Sequence, residues 1–378
     1  MKSVVIAGYA RSPFTPANKG WLTKVRPDEL AAQTVKGLVK KTGVQADDVE
    51  DVILGCAFPE GEQGLNVSRI VGFLAGLPLS VAGATVNRFC GSSMQAIHMA
   101  AGTIQMEAGE VFLCGGVESM TRVPMPGFNI LPHPGLYDSY PQAYISMGLA
   151  AENLARHYQI SRQAQEEFAL ASHRKAAASE TAGSFSDEII TIVHKRETVD
   201  KDGCIRAGTS QEALANLEPA FDKEGTVTAG TSSPLTDGAA AVLVCSEDYA
   251  KRKDLEILAR IKSIAVSGCA PEMMGIGPVN ATRKALDRAG LTLGDIDVIE
   301  LNEAFAAQTL ACVQELNIAL EKLNLDGGAL ALGHPLGASG ARITGKAASL
   351  LKQHGGKYAL ATMCIGGGQG IATVLETI

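Results

Sequence analysis

The sequence lacks three features that would each define a class of protein. It has no block of basic residues, and 33 basic against 40 acidic residues give a formal charge of −7, so we exclude a non-specific nucleic-acid-binding surface. None of its eight cysteines falls in a Cys-x-x-Cys pair, the spacing typical of zinc and thioredoxin-type sites. The uncharged stretch 70–87 is interrupted by glycines and a proline, whereas a membrane-spanning helix needs about 20 apolar residues. We therefore expect no nucleic-acid partner, no metal and no membrane span.

The composition is that of an ordinary globular protein. The chain has 378 residues, of which 46% are hydrophobic and 19% charged, and about 150 residues per domain predicts two or three domains. Scattered cysteines without a secretion signal predict a reducing compartment. No peroxisomal signal stands at 375–378. We expect the protein in the cytoplasm.

Short apolar segments alternate with helix-like stretches, which predicts a layered α/β fold. We expect strands at 3–7, 52–56, 111–115, 240–245, 298–302 and 358–363. We expect helices at 27–41, 92–107, 280–289 and 340–353.

The chain also repeats itself with a constant offset. Gly43 and Gly290 lie 247 residues apart, and the same offset relates Leu54 to Leu301 without any gap. Asp48, Ala57, Phe58, Ser92, Ala100, Ala101 and Gly109 have identical counterparts at the same distance. In both halves the order is helix, Gly, Asp, strand, loop, Gly-rich helix start, helix, Gly, strand. This predicts two similar α/β halves.

The long separation of the two copies predicts an insertion in the first half. We place the N-terminal half at 1–118 plus 236–258, the inserted loop domain at 119–235 and the C-terminal half at 259–378. The insertion opens with five prolines between 124 and 141, where we expect no regular helix. A helix is predicted from Ser161 to near Gly183. Such an insertion commonly covers a functional site.

The first candidate for chemistry is Cys90, in the segment CGSSMQ at 90–95. A strand-like run precedes it and a helical pattern begins at Gly91 or Ser92, so its thiol would lie at a helix N-terminus. The partial positive charge and free N–H groups there stabilise a thiolate. A buried structural cysteine is the alternative, since free cysteine is among the most buried residue types.

The second candidate is His334, which lies in the glycine-rich segment 327–340. Under the 247-residue offset it pairs with Asn87, three residues before Cys90. If the two halves pack about a pseudo-twofold axis, the imidazole would face the thiol and could take its proton. A loop histidine bound by backbone groups is the alternative.

Two further segments could stabilise charge. The glycines of CIGGGQG at 364–370 follow a predicted strand and leave N–H groups accessible, which suits an oxyanion hole. They lack the Lys-Ser/Thr ending of a phosphate-binding loop. Asn302 and Glu303 stand at the end of another predicted strand, where they could hold a water or a base, or cap a helix.

Taken together, these segments resemble the thiolase family. CGSSMQ at 90–95, NEAFA at 302–306, GHPLGASG at 333–340 and CIGGGQG at 364–370 are similar to the four signature segments of thiolases, in the same order and at similar spacing. The resemblance covers the whole chain. It implies the α/β thiolase fold: two similar βαβαβαββ halves that form a five-layered α-β-α-β-α sandwich, with an inserted loop domain.

The resemblance implies a role for each residue of the site. Cys90 would be the nucleophile that carries the acyl group, His334 the base that activates it, and Cys364 the second acid/base. His334 and a water held by Asn302 would form one oxyanion hole. The backbone N–H groups of Cys90 and Gly366 would form the other. Each such donor is typically worth about 3–4 kcal/mol of barrier.

Coenzyme A would be a substrate and not a bound cofactor. The resemblance implies that Arg206 lies near its nucleotide end and Ser233 at its pantetheine arm. Met147, Ala304 and Phe305 would line the acyl and pantetheine tunnel. Arg206 and Ser233 could equally be a surface charge and a turn residue.

Two departures from the biosynthetic thiolases favour a degradative enzyme. Ser146 stands where biosynthetic relatives usually carry a histidine, and their longer loop is shortened between Val117 and Met147. We expect an acyltransferase of β-oxidation that cleaves 3-oxoacyl-CoA with CoA into acyl-CoA and acetyl-CoA. The alternative is an acetyl-CoA C-acetyltransferase that condenses two acetyl-CoA molecules.

Two readings outside this reaction fit the residues less well. A decarboxylating ketosynthase would need a Cys-His-His or Cys-His-Asn site, and a second cysteine at 364 argues against it. A CoA-binding relative without catalysis should lack one of the four site residues, and all four are present. We expect a homodimer or homotetramer, and a complex with a hydratase/dehydrogenase subunit stays open.

Overall fold

In the computed structural model, which describes residues 2–378, strands and helices alternate as predicted. No helix in this range is long and apolar enough to cross a membrane. The strands are β1 (Val4–Arg11), β2 (Thr15–Pro16), β3 (Asp51–Gly55), β4 (Ala82–Val86), β5 (Val111–Ser119), β6 (Ile192–His194), β7 (Glu197–Val199), β8 (Thr236–Ser246), β9 (Ala259–Gly268), β10 (Val298–Leu301), β11 (Tyr358–Ile365) and β12 (Gln369–Glu376). The helices are α1 (Pro27–Thr42), α2 (Val67–Leu74), α3 (Ser92–Gln105), α4 (Pro134–Ser139), α5 (Met147–His157), α6 (Arg162–Ala182), α7 (Gln211–Ala215), α8 (Glu247–Arg252), α9 (Gly277–Ala289), α10 (Ala306–Leu316), α11 (Ala329–Leu332) and α12 (Leu336–His354).

Ten strands of the described chain form one large mixed sheet. Its order is β10-β11-β12-β9-β1-β8-β5-β3-β4, with β2 paired to β8. The pairs β3–β4, β3–β5 and β10–β11 are parallel. Strands β1 and β9 join two arms of the sheet through only two residue pairs, Val5–Arg260 and Ile6–Ala259. The sheet therefore has two arms that meet at a short seam.

The helices cover both arms and fill the space between them. Side chains that alternate along a strand face opposite sides. Ile53 accordingly joins a core with α3 and α12, whereas its neighbours Val52 and Leu54 face α1 and α2. The other arm contacts α12 on one face and α9 on the other. The result is five layers, α-β-α-β-α, as predicted.

Helix α12 is the centre of this arrangement, because both arms cover it. It is buried along almost its whole length, and Ile343 is completely inaccessible to solvent. Burial of such a side chain contributes about 1.5–3 kcal/mol. The first turn of α12 follows directly after His334, so the most rigid part of the fold carries this residue.

The structure bears out the repeat and also shows where it ends. The 247-residue offset superimposes α1 on α9, β3 on β10, α3 on α12 and β5 on β11. The counterpart of β4, however, is the short helix α11. Glu303 explains the difference. Its carboxylate accepts a hydrogen bond from the N–H of Leu330 (3.2 Å), which stabilises the helical turn of α11. The corresponding residue of the first half is Cys56, which offers no such acceptor.

Residues 120–235 contribute no strand to the large sheet. Helix α6 is confirmed at the predicted place, with the Ser161 hydroxyl accepting from the N–H of Ala164 (3.2 Å) and Gly183 ending it at φ = 77°. The prediction of no regular helix in the proline-rich stretch is wrong, because α4 begins at Pro134. Proline is favoured at the first helical position, where its missing N–H would have no partner. The division of the chain into domains stays a prediction.

Candidate active site

Cys90 lies in the turn between β4 and α3. The hydroxyl of Ser92 accepts from the N–H of Arg88 (2.8 Å) and donates to the carbonyl of Phe89 (2.6 Å). The side-chain oxygen of Asn87 accepts from the N–H of Phe89 (2.8 Å). These bonds hold Phe89 at φ = 42°, in the left-handed region that bulky residues seldom adopt. The turn is thus fixed on both sides of the thiol.

The thiol of Cys90 is half-buried, and the backbone N–H groups of Gly366 and of Cys90 itself act on its pKa. Burial raises the pKa of Cys90 to about 12, the two N–H groups lower it by less, and the negative charge of Glu118 raises it further. The resting side chain is therefore a thiol at neutral pH. The helix N-terminus does not by itself produce the thiolate that the sequence suggested, because the loss of solvent outweighs it. The proton needs an acceptor.

His334 precedes α12 with its backbone N–H bound to the Thr236 hydroxyl (3.0 Å). Its Nδ1 lies 2.6 Å from the Ser339 hydroxyl oxygen, and that hydroxyl donates to the carbonyl of Pro335 (3.3 Å). Nδ1 then carries the proton, and Nε2 is the nitrogen that can accept. Burial, with a smaller effect of the Arg342 charge, lowers the pKa of His334 to about 3. The imidazole is neutral at rest and can accept a proton at Nε2.

Asn302 faces the same nitrogen from the end of β10. Its backbone N–H donates to the carbonyl of Thr362 (3.1 Å), and its Nδ2 lies 3.4 Å from Nε2 of His334. Its Oδ1 is buried without a hydrogen-bond partner within residues 2–378. Buried polar atoms of this kind need a reason in a folded protein, and binding of a hydrogen-bonding ligand is one.

Cys364 lies on β11 and is 1% exposed. It packs in one apolar cluster with Met147, Ala304 and Phe305, three of the residues expected along the substrate tunnel. Burial raises the pKa of Cys364 well above that of an ordinary thiol, and a negative charge on Cys90 raises it further. The two sulfurs are thus electrostatically coupled, since charge on one opposes charge on the other.

The glycine turn between β11 and β12 directs the second N–H group at Cys90. Gly367 and Gly368 have φ of 76° and 78°, which favours glycine at both positions. A side chain on Gly366 would come within 3.4 Å of the Met147 sulfur and 3.7 Å of the Phe89 ring. Both are ordinary van der Waals distances, so the turn packs directly against Met147 and Phe89.

A cleft of about 80 Å³ lies between the segment 203–234 and Leu330 of α11. Arg206, His173, Cys204 and Ser232 are among its lining residues. Arg206 is exposed, and its backbone N–H donates to Nδ1 of the buried His173 (3.2 Å). Cys204 is close enough to Gly333 that a Cβ there would lie 3.2 Å from its sulfur. The cleft therefore reaches the residue before His334.

Ser233 joins this cleft to the apolar cluster around Cys364. Its N–H donates to the carbonyl of Ala304 (3.0 Å), and the preceding Ser232 forms a β-bridge with Phe305. The structure thus brings Ser233 and three predicted tunnel residues together, while Arg206 lies further out on the cleft wall.

Ser339 is a functional residue that the sequence reasoning missed. It was visible within the segment GHPLGASG, five residues after His334, but nothing in the sequence says that its hydroxyl turns back to the imidazole. Only the helical turn that begins at Leu336 brings the two side chains together.

Glu118 is a second such residue. Its buried carboxylate accepts from the N–H groups of Ala57 (2.8 Å), Phe58 (3.2 Å) and Gly337 (2.9 Å), and from the side chain of Gln63 (2.9 Å). It ties the loop after β3 to the first turn of α12. A single acidic residue at the end of the apolar run VFLCGGV was the available signal, because a buried carboxylate needs such partners.

We expect the substitution Ser339→Ala to lower kcat by about 10- to 100-fold, as loss of a partner that orients a functional imidazole does elsewhere. Without the hydroxyl, Nδ1 loses its acceptor and the tautomer with a free Nε2 is no longer favoured. The KM for CoA should stay within about twofold, because Ser339 is not in the cleft. Steady-state kinetics with a 3-oxoacyl-CoA would measure both.

Thr344→Val is the matched control for this variant. It removes a buried hydroxyl from the same helix, one that donates to the carbonyl of Gly340 (2.7 Å) and not to His334. Both variants should lose about 1 kcal/mol of unfolding free energy. Equal kcat values for the two would contradict the role of Ser339.

Comparison with known proteins agrees with this geometry. The family model described as thiolase, N-terminal domain, matches residues 4–248, and the one described as thiolase, C-terminal domain, matches residues 255–377. The 3-ketoacyl-CoA thiolase of Photobacterium profundum is 48% identical over 388 residues, and that of Aliivibrio fischeri is 49% identical over 386, with 100% of both chains covered in each case.

Solved structures of the same family share the fold. Human mitochondrial 3-ketoacyl-CoA thiolase in complex with CoA superimposes with a TM-score of 0.92 at 39% identity, covering 100% of this chain and 98% of the other. The Bacillus anthracis acetyl-CoA acetyltransferase gives 0.92 at 41% identity, covering 100% and 99%. The chain belongs to the thiolase family and is an acyltransferase with the thiolase fold.

Proposed function

We propose that this chain is a 3-ketoacyl-CoA thiolase, which cleaves 3-oxoacyl-CoA with CoA into acyl-CoA and acetyl-CoA as the last step of fatty-acid β-oxidation. The observation that carries the proposal is a pair of electrostatically coupled thiols, Cys90 and Cys364, together with a neutral imidazole, that of His334, whose Nε2 can accept a proton. Cleavage between two carbonyl groups needs a nucleophile, a base and a separate proton donor. The names of the bacterial relatives support the same reaction.

The reaction begins with transfer of the Cys90 proton to Nε2 of His334. The sulfur attacks the 3-oxo carbon, and the resulting oxyanion accepts from the N–H groups of Cys90 and Gly366, which also lower the pKa of the Cys90 thiol. Because the resting thiol is neutral, its ionisation occurs only with the base in place. This limits side reactions of an exposed thiolate.

Carbon–carbon cleavage then leaves the acyl group on Cys90 and releases the enolate of acetyl-CoA. The protonated Nε2 of His334 and a water bound by Asn302 stabilise the enolate oxygen. Cys364 gives its proton to the enolate carbon. Its high pKa favours this step, because a buried thiolate is costly and a buried thiol can donate only to a strong base such as an enolate.

CoA completes the cycle. The Cys364 thiolate takes the proton of the CoA thiol, and the CoA sulfur attacks the acyl carbon on Cys90. The departing Cys90 sulfur recovers its proton from His334. The cleft that holds Arg206 and joins Ser233 is our site for the nucleotide end and the pantetheine arm of CoA.

Ser146 supports the degradative subtype. Its hydroxyl accepts a hydrogen bond from the N–H of Leu149 (3.4 Å) and caps α5. The side chain is therefore bound to the backbone of the helix that begins at Met147. A histidine at this position would place a bulkier, polar ring beside the tunnel residues. The stretch before it exposes apolar side chains, among them Phe128, Ile130 and Leu131, where a long acyl chain could lie.

We expect kcat/KM for a long-chain 3-oxoacyl-CoA to exceed that for acetoacetyl-CoA by about 10-fold or more, since each buried methylene adds about 0.8 kcal/mol. The test is CoA-dependent cleavage of both substrates by the purified chain. The Cys90→Ala protein serves as control for non-enzymatic thiolysis.

The outcomes separate the two subtypes. Cleavage confined to acetoacetyl-CoA would establish the acetyl-CoA C-acetyltransferase alternative, which the Bacillus anthracis structure keeps open. Cleavage of neither substrate would overturn the reaction itself.

We also propose a homodimer or homotetramer located in the cytoplasm, with the loop domain at 119–235. The outer edge of β4 has no paired strand among residues 2–378, and Phe73, Leu74, Leu79 and Met99 are exposed. Apolar side chains beside an open strand edge support association with a second chain. A complex with a hydratase/dehydrogenase subunit is compatible with this arrangement.

A further inference from the structure

A buried ion pair connects two elements that carry residues close to the proposed active site. Nη1 of Arg342 on α12 donates to Oε2 of Glu300 on β10 (2.9 Å), and the two side chains are 2% and 0% exposed. Oε1 of Glu300 and Nη2 of Arg342 have no further partner within residues 2–378. Isolated burial of either charge would cost several kcal/mol, so each depends on the other.

The pair joins the two elements that carry the imidazole and its neighbours. Glu300 lies on β10, two residues before Asn302, which directly follows the strand. Arg342 follows Ser339 by three residues, so both lie on the same side of α12. The ion pair therefore connects the strand that leads to Asn302 with the helix that carries Ser339, and both of these residues contact His334.

The charge of Arg342 acts on His334. After burial, it is the second cause that lowers the pKa of this imidazole. A positive charge at this place opposes the step in which His334 accepts the Cys90 proton, because it destabilises an imidazolium. The other ionisable groups beside the His334 segment are the thiol of Cys204, which lies against Gly333, and Glu118, which binds the N–H of Gly337.

The charge of Glu300 changes close to neutral pH. Burial raises the pKa of Glu300 to about 7, against the opposing charges of Arg342 and Lys346. Lys346 is itself paired with Glu188 (3.0 Å) and Asp326 (2.6 Å). Glu303 and Asp326 add negative charge that raises the pKa of Glu300 further, and Tyr9, which faces the same cluster from β1, stays protonated because burial raises its pKa.

We propose that Glu300 is a positioning residue of the active site: its carboxylate holds the Arg342 guanidinium and offsets its charge, so that His334 can accept the proton of Cys90. The inference rests on the proposed function, in which His334 is the base for Cys90. The ionised pair is neutral as a whole, and the imidazolium then meets little opposition. A neutral Glu300 leaves the positive charge of Arg342 uncompensated, and proton transfer becomes harder.

Alkylation of Cys90 by iodoacetamide tests the inference without the later steps of the reaction. The Cys90 sulfur forms a bond to the carbon of the reagent, iodide leaves, and the thiol proton goes to His334. We would measure the second-order rate constant between pH 5.5 and 9 on the full chain. The wild-type rate should rise through an inflection near pH 7, as Glu300 ionises.

Three variants predict three different profiles. Glu300→Gln keeps the hydrogen bond to Arg342 but not the charge, so the inflection should vanish and the rate at pH 8 should fall by about 10-fold. Arg342→Met removes the opposing charge, and its rate at pH 8 should equal or exceed that of the wild type. The double variant has no charge on either side and should react within about threefold of the wild type.

Glu166→Gln is the control for loss of a buried carboxylate that is paired with an arginine. Glu166 binds Arg162 (2.7 Å) and is not among the charges that act on Glu300, so this variant should lose stability but keep the wild-type profile. A Glu300→Gln profile identical to the wild type, or rates that fall in all three variants, would overturn the inference and leave a structural role. A different result would overturn the proposed function itself: no alkylation of Cys90 in the wild type at any pH, and the same lack of reaction in the His334→Ala variant.

Discussion

Cys90→Ala should abolish acyl transfer, with cleavage of 3-oxoacyl-CoA reduced by about four orders of magnitude or more, since the proposed cycle has no other nucleophile for the 3-oxo carbon. Stability should change by only about 1 kcal/mol, because the half-buried thiol donates no structural hydrogen bond. Intact mass after incubation with acetyl-CoA should show an acetyl adduct on the wild type and none on the variant.

Cys269→Ala is the matched control, since Cys269 is also half-buried and lies outside the proposed steps. It should accept the acetyl group like the wild type. An acetyl adduct on the Cys90→Ala protein would contradict the assignment of Cys90 as the nucleophile, whatever the effect of the substitution on turnover.

Cys364→Ala should separate the two halves of the reaction. Cys90 and His334 remain, so acetylation by acetyl-CoA should continue at a reduced rate. Protonation of the enolate loses its donor, and cleavage of 3-oxoacyl-CoA should fall by about 10²- to 10⁴-fold, the usual contribution of a general acid. The measurements are intact mass for the first step and steady-state cleavage for the whole cycle.

Cys312→Ala controls for the loss of a buried thiol near Cys364. Its sulfur donates to the carbonyl of Gly275 (3.2 Å), on the side of the core away from the acyl group. This variant should lose stability and keep cleavage. If Cys364→Ala retains full cleavage, or loses acetylation as completely as Cys90→Ala, the role of Cys364 as the second acid/base is wrong.

The two coupled thiols explain why the site can remain unreactive until substrate arrives. Burial raises the pKa of both, and ionisation of one makes ionisation of the other harder. At any moment the site therefore favours at most one thiolate. The proposed cycle obeys this restriction, because Cys90 is acylated and neutral when Cys364 becomes the thiolate.

Local sequence patterns were sufficient for most of the regular elements and for the family. Apolar runs such as VFLCGGV and YALATM predicted β5 and β11, because a strand buried on both faces has no place for polar side chains. Ser161 and Gly183 predicted both ends of α6, since capping depends on the residue at that one position. Four short motifs were enough to indicate the family.

The protonation states and the supporting residues depended on contacts between distant parts of the chain. Burial by both arms of the sheet, and not the helix N-terminus, sets the pKa of Cys90. Ser339, Glu118 and Glu300 act through partners that lie on other elements or on the next helical turn, so no local pattern points to them. Glu303 turns the counterpart of β4 into a helix in the same way. Desolvation and ionic interactions depend on three-dimensional surroundings, and these exist only once the two halves have packed around α12.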